Sequence, residues 1–225
     1  MRNIQKGAIP RKFREWKEEN NHQLSDLPFK AIPSEEGGVK DDLRKALCEE
    51  QGALCCYCQS RISDEAEKMR VEHWACQRKN VDKRFEYGNL LAACCGSEGQ
   101  GRRNHHCDVL KASSDLKYNP ADFDVESVIK YKANGEIYST DKDFNEQLGS
   151  VNSPGILNLN LRRLRMQRQA QIDAVIGEMP KKGSWPREKV LRKICEYETP
   201  GEKGKLKPFC GVAIYYLKKK LRQSK

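Results

Sequence analysis

Residues 41–55, DDLRKALCEEQGALC, set Leu43 and Leu47 four positions apart among charged side chains. That spacing puts both on one helix face, with Asp41 or Asp42 available as the cap and Gly52 near the expected end. Upstream, RKFREWKEEN places Phe13 and Trp16 on one side of an otherwise charged helix. The pattern then changes period. MRVEHW, residues 69–74, alternates apolar and polar positions as a half-buried strand does, ACQRKNVDKRFEYG has no sustained period, and NLLAACC is a second apolar run. After the Gly-rich, charged GSEGQGRRNHH comes CDVLKASSDL, which predicts a helix of about three turns. Strand, loop, strand and helix together predict a small ββα unit.

Beyond residue 120, ESVIKYKANGEIYST is two alternating runs about Asn134-Gly135, a strong hairpin signal. GILNLNLRRLRMQRQAQIDAVIGEM carries Leu157, Leu161, Leu164, Ile172, Val175, Ile176 and Met179 in a broadly helical pattern. PREKVLRKICEYE and GVAIYYLKKKLRQ predict two more helices, divided by TPGEKGKLKP. The expected class is α+β. The expected organisation is an N-terminal arm or docking segment over 1–40, a core built on the ββα unit over 41–120, and a β-hairpin followed by a mainly helical region over 121–225. No internal repeat interrupts this order.

Composition narrows the functional classes. A chain of 225 residues can bury a core without disulfides. Lys plus Arg number 42 against 32 for Asp plus Glu, a net charge of +10. Such an excess suits a polyanion, because each cation that meets a phosphate releases condensed counterions. No run approaches the ~18 apolar residues of a membrane span, and MRNIQKGAIPRKF lacks the apolar stretch of a signal peptide. A cytoplasmic location is therefore expected. In that reducing setting, ten cysteines read as thiols or metal ligands rather than disulfides.

Cys55 and Cys58 form C-x-x-C, a spacing at which two thiolates from one tight turn reach a single tetrahedral zinc. The second pair is expected from Cys94 or Cys95 together with Cys107, which flank the Gly-rich segment. That segment is long for a zinc ribbon, so it has to loop out and return. Cys48, Cys76, Cys195 and Cys210 have no close sequence partner and read as small buried hydrophobes. Cys56 reads as a core neighbour of the knuckle.

Between the expected zinc pairs lie Glu72-His73, Asn89 and Cys107-Asp108 with Lys111. The blocks CCYC, VEHW, YGNLLAAC and HCDVLK resemble the HNH endonucleases, whose ββα-metal fold arranges two strands and a helix around a catalytic divalent ion. More narrowly, IQKGAIP with FREWK, YGNLLAAC and LNLNLRRLRMQRQAQID resemble the HNH subunit of the Septu and retron-associated anti-phage systems, the PtuB-like proteins. The resemblance spans about residues 1–176.

It implies His73 as general base, Glu72 and Asp108 as ligands of Mg²⁺ or Mn²⁺, and Asn89 as the residue holding the loop that carries the histidine. Many HNH enzymes have histidine where this chain has Asp108, a change that bears on metal preference. His105 or His106 is an alternative ligand. Lys111, Arg102 and Arg103 are candidate phosphate contacts.

The implied activity is hydrolysis of phosphodiester bonds in DNA or RNA, as effector of a defence complex with an ABC-like ATPase. The chain has no Gly-rich phosphate loop of its own. The arm around Phe13 and Trp16 and the tail VAIYYLKKKL are the segments for docking on that ATPase or for completing the core, and in the tail the near-helical spacing of Val212, Tyr215 and Tyr216 favours core packing. The competing class is a non-catalytic zinc-binding adaptor for nucleic acid or protein.

Overall fold

A computed structural model describes residues 1–180 and 185–223. Helix α1 (Arg11–Glu19) follows Pro10, and its two aromatic residues, Phe13 and Trp16, are both buried. Trp16 meets Phe85 at 5.3 Å between ring centroids, and Phe29 packs on Phe85 at 5.9 Å. These side chains complete the main core, the alternative to docking that the sequence left open. Met1 and Ile4 are buried in the same cluster.

Helix α2 (Val39–Glu50) begins two residues earlier than the cap expected at Asp41 or Asp42, with Gly38 at the boundary. Asp41 instead accepts the Gly37 N–H at 2.8 Å, and both acids lie in the first turn, where the exposed N–H groups favour negative charge. Leu43 and Leu47 are fully buried.

Strands β1 (Arg70–His73) and β2 (Leu90–Ala93) pair antiparallel, Arg70 opposite Ala93 and His73 opposite Leu90. All four residues of β2 are buried. Helix α3 (Cys107–Lys111) is only a turn and a half rather than three, because Ala112 adopts φ +48° and ends it. The following Ser-Ser-Asp sequence compensates poorly, since short polar side chains compete with the helix for backbone groups.

Helix α4 (Val125–Val128) leads into β3 (Ile129–Tyr131) and β4 (Ile137–Ser139), a second antiparallel pair with Tyr131 opposite Ile137. Asn134-Gly135 does turn the chain. Gly135 takes φ +77° and donates its N–H to Lys132 at 3.0 Å, and Lys132 and Glu136 close the loop at 2.9 Å. This loop is longer than a two-residue turn.

Helix α5 (Lys142–Leu148), capped by Asp141 accepting the Phe144 N–H at 2.9 Å, has no counterpart in the sequence-based expectation. Helix α6 (Arg162–Gly177) starts after the Leu157–Leu161 stretch. Leu157 and Leu159 are nevertheless buried, inserted from a turn in which Asn158 has φ +49°. Helices α7 (Arg187–Glu198) and α8 (Cys210–Gln223) pack with α6 around a second, smaller core that includes Val175, Val190, Ile194 and Leu217.

The architecture is α+β, with helices around two small antiparallel sheets. The larger core runs from Met1 to Val212 and draws residues from all three segments, 1–40, 41–120 and 121–225. In the C-terminal tail, Val212 is buried and Tyr215 and Tyr216 are half-buried against the cores. Among the described residues, no helix is long and apolar enough to cross a membrane.

Candidate metal centre and the carboxylate cleft beside it

Four sulfurs converge where the first ββα unit closes. Cys55, Cys58, Cys94 and Cys107 have Sγ atoms all within 4.8 Å of one another. Cys55 lies 3.8 Å from Cys107, and Cys58 lies 3.7 Å from Cys94. Those separations are far too long for disulfides, whose S–S bond is about 2.05 Å. They match the edge of a sulfur tetrahedron around zinc, about 3.8 Å for Zn–S bonds of about 2.3 Å. Three of the four thiols are buried and Cys94 is half-buried.

The local chain explains the convergence. Leu54 bridges Arg61, Cys55 donates its N–H to Ser60 at 3.0 Å, and Gln59, at φ +64°, donates back to Cys55 at 3.1 Å. The resulting knuckle aims Cys55 and Cys58 to one side. Cys56 turns away and donates its N–H to Ala92 of β2 at 2.9 Å. Cys94 follows directly on β2, and Cys107 opens α3.

The Gly-rich insertion does loop out and return. His106 donates its N–H to Gly96 at 3.1 Å, closing the neck of the loop. A Cβ on Gly96, which has φ +51°, would lie 2.3 Å from the His106 carbonyl, so glycine is required there.

Of the two cysteines open at the third position, Cys94 joins the cluster. Cys95 donates its thiol to the Glu67 carbonyl at 3.1 Å instead. His106 sits against the sulfurs, 3.0 Å from Cys107 and 3.9 Å from Cys94 through Nδ1, while Arg163 of α6 donates to its Nε2. Since Nε2 is the acceptor, Nδ1 carries the proton and points it at the sulfurs. A donor of this kind stabilises thiolate charge and orients the cluster.

His106 is therefore a neighbour of the cysteine centre and not a ligand in the carboxylate cleft. His105 bonds to the Gln100 carbonyl at 2.9 Å and is likewise elsewhere. Burial and sulfur hydrogen bonds hold the Cys107 thiol well above its ordinary pKa. The four sulfurs form a soft, largely buried donor set that could hold a metal ion and fits structural zinc.

A cleft of about 360 Å³ opens beside this centre, lined by Arg70, Glu72, His73, Glu98 and Asp108 among others. Glu72 is 2 % exposed. Its Oε1 accepts from the Tyr57 hydroxyl at 2.8 Å and from Lys111 Nζ at 2.8 Å. Burial first, and then the neighbouring Asp108 carboxylate, push the Glu72 pKa well above the usual carboxylate range. Asp108 is held from the other side by Arg70 at 2.6 Å, and Arg70 also pairs with Glu98 at 2.7 Å.

Two carboxylates thus face each other at the edge of the cleft, and their mutual repulsion is what a divalent cation would relieve. Only these two acids converge. The cysteine group is the sole set of three or more potential ligands brought together among the described residues.

His73 is 5 % exposed and packs edge-on against Phe29 at 4.4 Å. Its Nε2 lies 3.0 Å from the Arg84 carbonyl. A carbonyl oxygen only accepts, so Nε2 carries the proton and Nδ1 keeps its lone pair. Burial lowers the His73 pKa to about 4, leaving the ring neutral near pH 7. Glu72 and His73 are consecutive and so leave opposite faces of β1, yet both line the cleft because the strand ends at His73.

Asn89 fastens the loop between the strands. Its Oδ1 accepts the Ala75 N–H at 2.8 Å, and its Nδ2 donates to the Ala75 and Lys83 carbonyls, each at 3.0 Å. Lys83 neighbours the Arg84 carbonyl that fixes His73, so Asn89 acts on the ring through this loop. Truncation of Asn89 to Ala leaves one donor and two acceptors unpaired in a buried setting. We expect a loss of about 3 kcal/mol in chemical denaturation, with zinc content unchanged.

Lys111 corrects one expectation. It is fully buried, donates to the His73 carbonyl at 3.0 Å as well as to Glu72, and so anchors the site rather than contacting phosphate. Sequence reasoning missed Tyr57, Arg70 and the Arg163–His106 contact. Arg70 was detectable, because it stands two residues before Glu72 on a strand and shares its face. Tyr57, hidden inside the cysteine knuckle, and Arg163, 57 residues from its histidine, carried no local signal.

No family model matches the sequence, and no curated protein matches it.

Proposed function

We propose that this chain is a metal-dependent HNH-type endonuclease that hydrolyses phosphodiester bonds in nucleic acid. The observation that carries the reading is the juxtaposition of a neutral imidazole with a free Nδ1 and two facing carboxylates in one cleft, directly against a four-cysteine centre. The β1–β2–α3 order agrees with a ββα-metal core. DNA is the favoured target and RNA the alternative, and the net charge of +10 suits either.

The two sites divide the work. The four thiolates leave no open position for water, so zinc there would brace the fold. Glu72 and Asp108 would hold Mg²⁺ or Mn²⁺, which when bound supplies Lewis-acid stabilisation of charge on the phosphoryl and leaving oxygens. His73, with its Nε2 proton fixed on the Arg84 carbonyl, accepts a proton from the attacking water at Nδ1. Lys111 and Tyr57 hold Glu72 in place, and Arg70 holds Asp108.

The resemblance to Septu and retron-associated subunits extends the proposal to a role as effector with an ABC-like ATPase. Phe13 and Trp16, being buried, take no part in such docking.

The test is cleavage of plasmid DNA and of structured RNA in Mg²⁺ or Mn²⁺, with and without the ATPase. Asp108 is partly exposed, so Asp108→Asn is expected to fold normally and to lower the cleavage rate at least about 100-fold. Equal rates for the wild type and this variant would exclude the carboxylate site.

A further inference from the structure

On the other side of α3 from the carboxylate cleft lies a second, larger cleft of about 710 Å³. Val109, Ala112 and Ser113 face the carboxylate cleft, whereas Leu110 and Ser114 line the second one. Its walls carry Arg102, Arg103, Arg162 and Arg165, and no Asp or Glu lines it. Arg165 donates Nε to the Asn160 carbonyl at 3.1 Å. Arg102, Arg103 and Arg162 form no ion pair with an acid among the described residues, and all three are exposed.

The contrast with the carboxylate cleft is electrostatic. That cleft holds Glu72, Glu98 and Asp108, and its Arg70 is already spent on two of them. Its other arginine, the exposed Arg78, stands against three acids, so the cleft offers a polyanion less positive charge than the four arginines across α3. A strand presented there gains from a further grip, and an acid-free cationic surface lies across α3. Guanidinium groups bind phosphate oxygens in a fork geometry, which suits them to that task.

We propose that the arginine cleft is a second phosphate-binding site, which grips the sugar-phosphate backbone of the nucleic-acid strand whose scissile bond lies at the carboxylate cleft. The assignment rests on the nuclease reading for the location of the scissile bond, while the phosphate grip stands on its own residues. A helix is about 10 Å across with its side chains, and a strand carries one phosphate per ~3.4 Å of rise. The gripped phosphates therefore fall about three nucleotides from the bond to be cut. Val151, exposed at the rim, and the half-buried Leu110 offer apolar surface for the sugars between them.

The experiment is equilibrium binding of a fluorescent duplex DNA and of a single-stranded RNA to the full-length zinc-bound protein with no Mg²⁺ or Mn²⁺ added, across a salt series. The variant is Arg102→Gln with Arg103→Gln and Arg162→Gln. Its control is Lys30→Gln with Lys45→Gln and Arg192→Gln, three exposed cations outside the cleft that give the same net charge. For the cleft variant we expect Kd at least about 20-fold weaker and a log–log salt slope shallower by about 2 to 3, since each phosphate contact contributes about 0.7 to 0.9. The control should stay within about threefold of wild type.

Whichever substrate shows the difference identifies the strand, DNA or RNA. Cleft and control variants with equal affinities and slopes on both substrates would overturn the proposal even if cleavage proves to depend on His73. Conversely, a protein that binds through these arginines but cuts nothing would overturn the nuclease reading and leave the grip intact.

Discussion

Cys58→Ser and Cys107→Ser are expected to cost the protein its zinc and its cooperative fold. Wild-type protein purified without added metal should carry about one zinc per chain, and each variant less than about a tenth of that. The four cysteines join three elements: the knuckle after α2, the end of β2 and the start of α3. Structural zinc contributes on the order of 10 kcal/mol in small zinc domains, comparable to the whole stability of a typical domain. Removing one thiolate also leaves the other three sulfurs, two of them buried, without their common partner. Elemental analysis and thermal unfolding read both effects.

The informative controls are the neighbouring cysteines. Cys95→Ser removes a half-exposed thiol whose partner is the Glu67 carbonyl, so zinc should be retained and stability should fall by no more than about 1 kcal/mol. Zinc retained at wild-type level in Cys58→Ser, or lost in Cys95→Ser, would contradict the assignment of the centre.

The helices and strands that were legible in the sequence are those whose own periodicity determines their packing. Leu43 and Leu47, the β1 alternation and the apolar β2 run each point to one buried face, and each element forms where its pattern lies. Where tertiary contacts decide, the pattern misleads. Leu157 and Leu159 sit in a helical-looking run but are inserted from a turn, because Asn158 takes a left-handed conformation and its side chain ties to the His105 carbonyl at 2.9 Å.

The metal site was partly legible for the same reason. C-x-x-C is a local geometric device, readable from spacing. The choice of Cys94 over Cys95 depends on which way the chain leaves β2, and only the paired sheet fixes that. Lys111 illustrates the converse: a lysine beside an acidic cluster reads as a surface cation, yet here both of its partners, Glu72 and the His73 carbonyl, come from β1. Burying it ties α3 to that strand.

Replacing His73 is expected to remove cleavage while sparing the fold, provided the replacement respects the hydrogen bond the ring makes. In His73→Gln the amide nitrogen can still donate to the Arg84 carbonyl, the contact the imidazole makes at 3.0 Å, so the loop over 83–86 keeps its anchor. What the amide cannot do is accept a proton from water at neutral pH, because its oxygen is far less basic than an imidazole nitrogen. The rate should fall by about 10² to 10⁴, the usual worth of a positioned general base, with zinc content and unfolding midpoint close to wild type. His73→Ala adds a cavity beside Phe29, which the ring contacts at 4.4 Å, and should lose about 2 kcal/mol of stability as well. The pair separates chemistry from packing: both variants lose the base, but only one loses the support. If His73→Gln cut nucleic acid at the wild-type rate, the imidazole would be a packing residue with a satisfied hydrogen bond, and the proton acceptor would have to be sought elsewhere in the cleft.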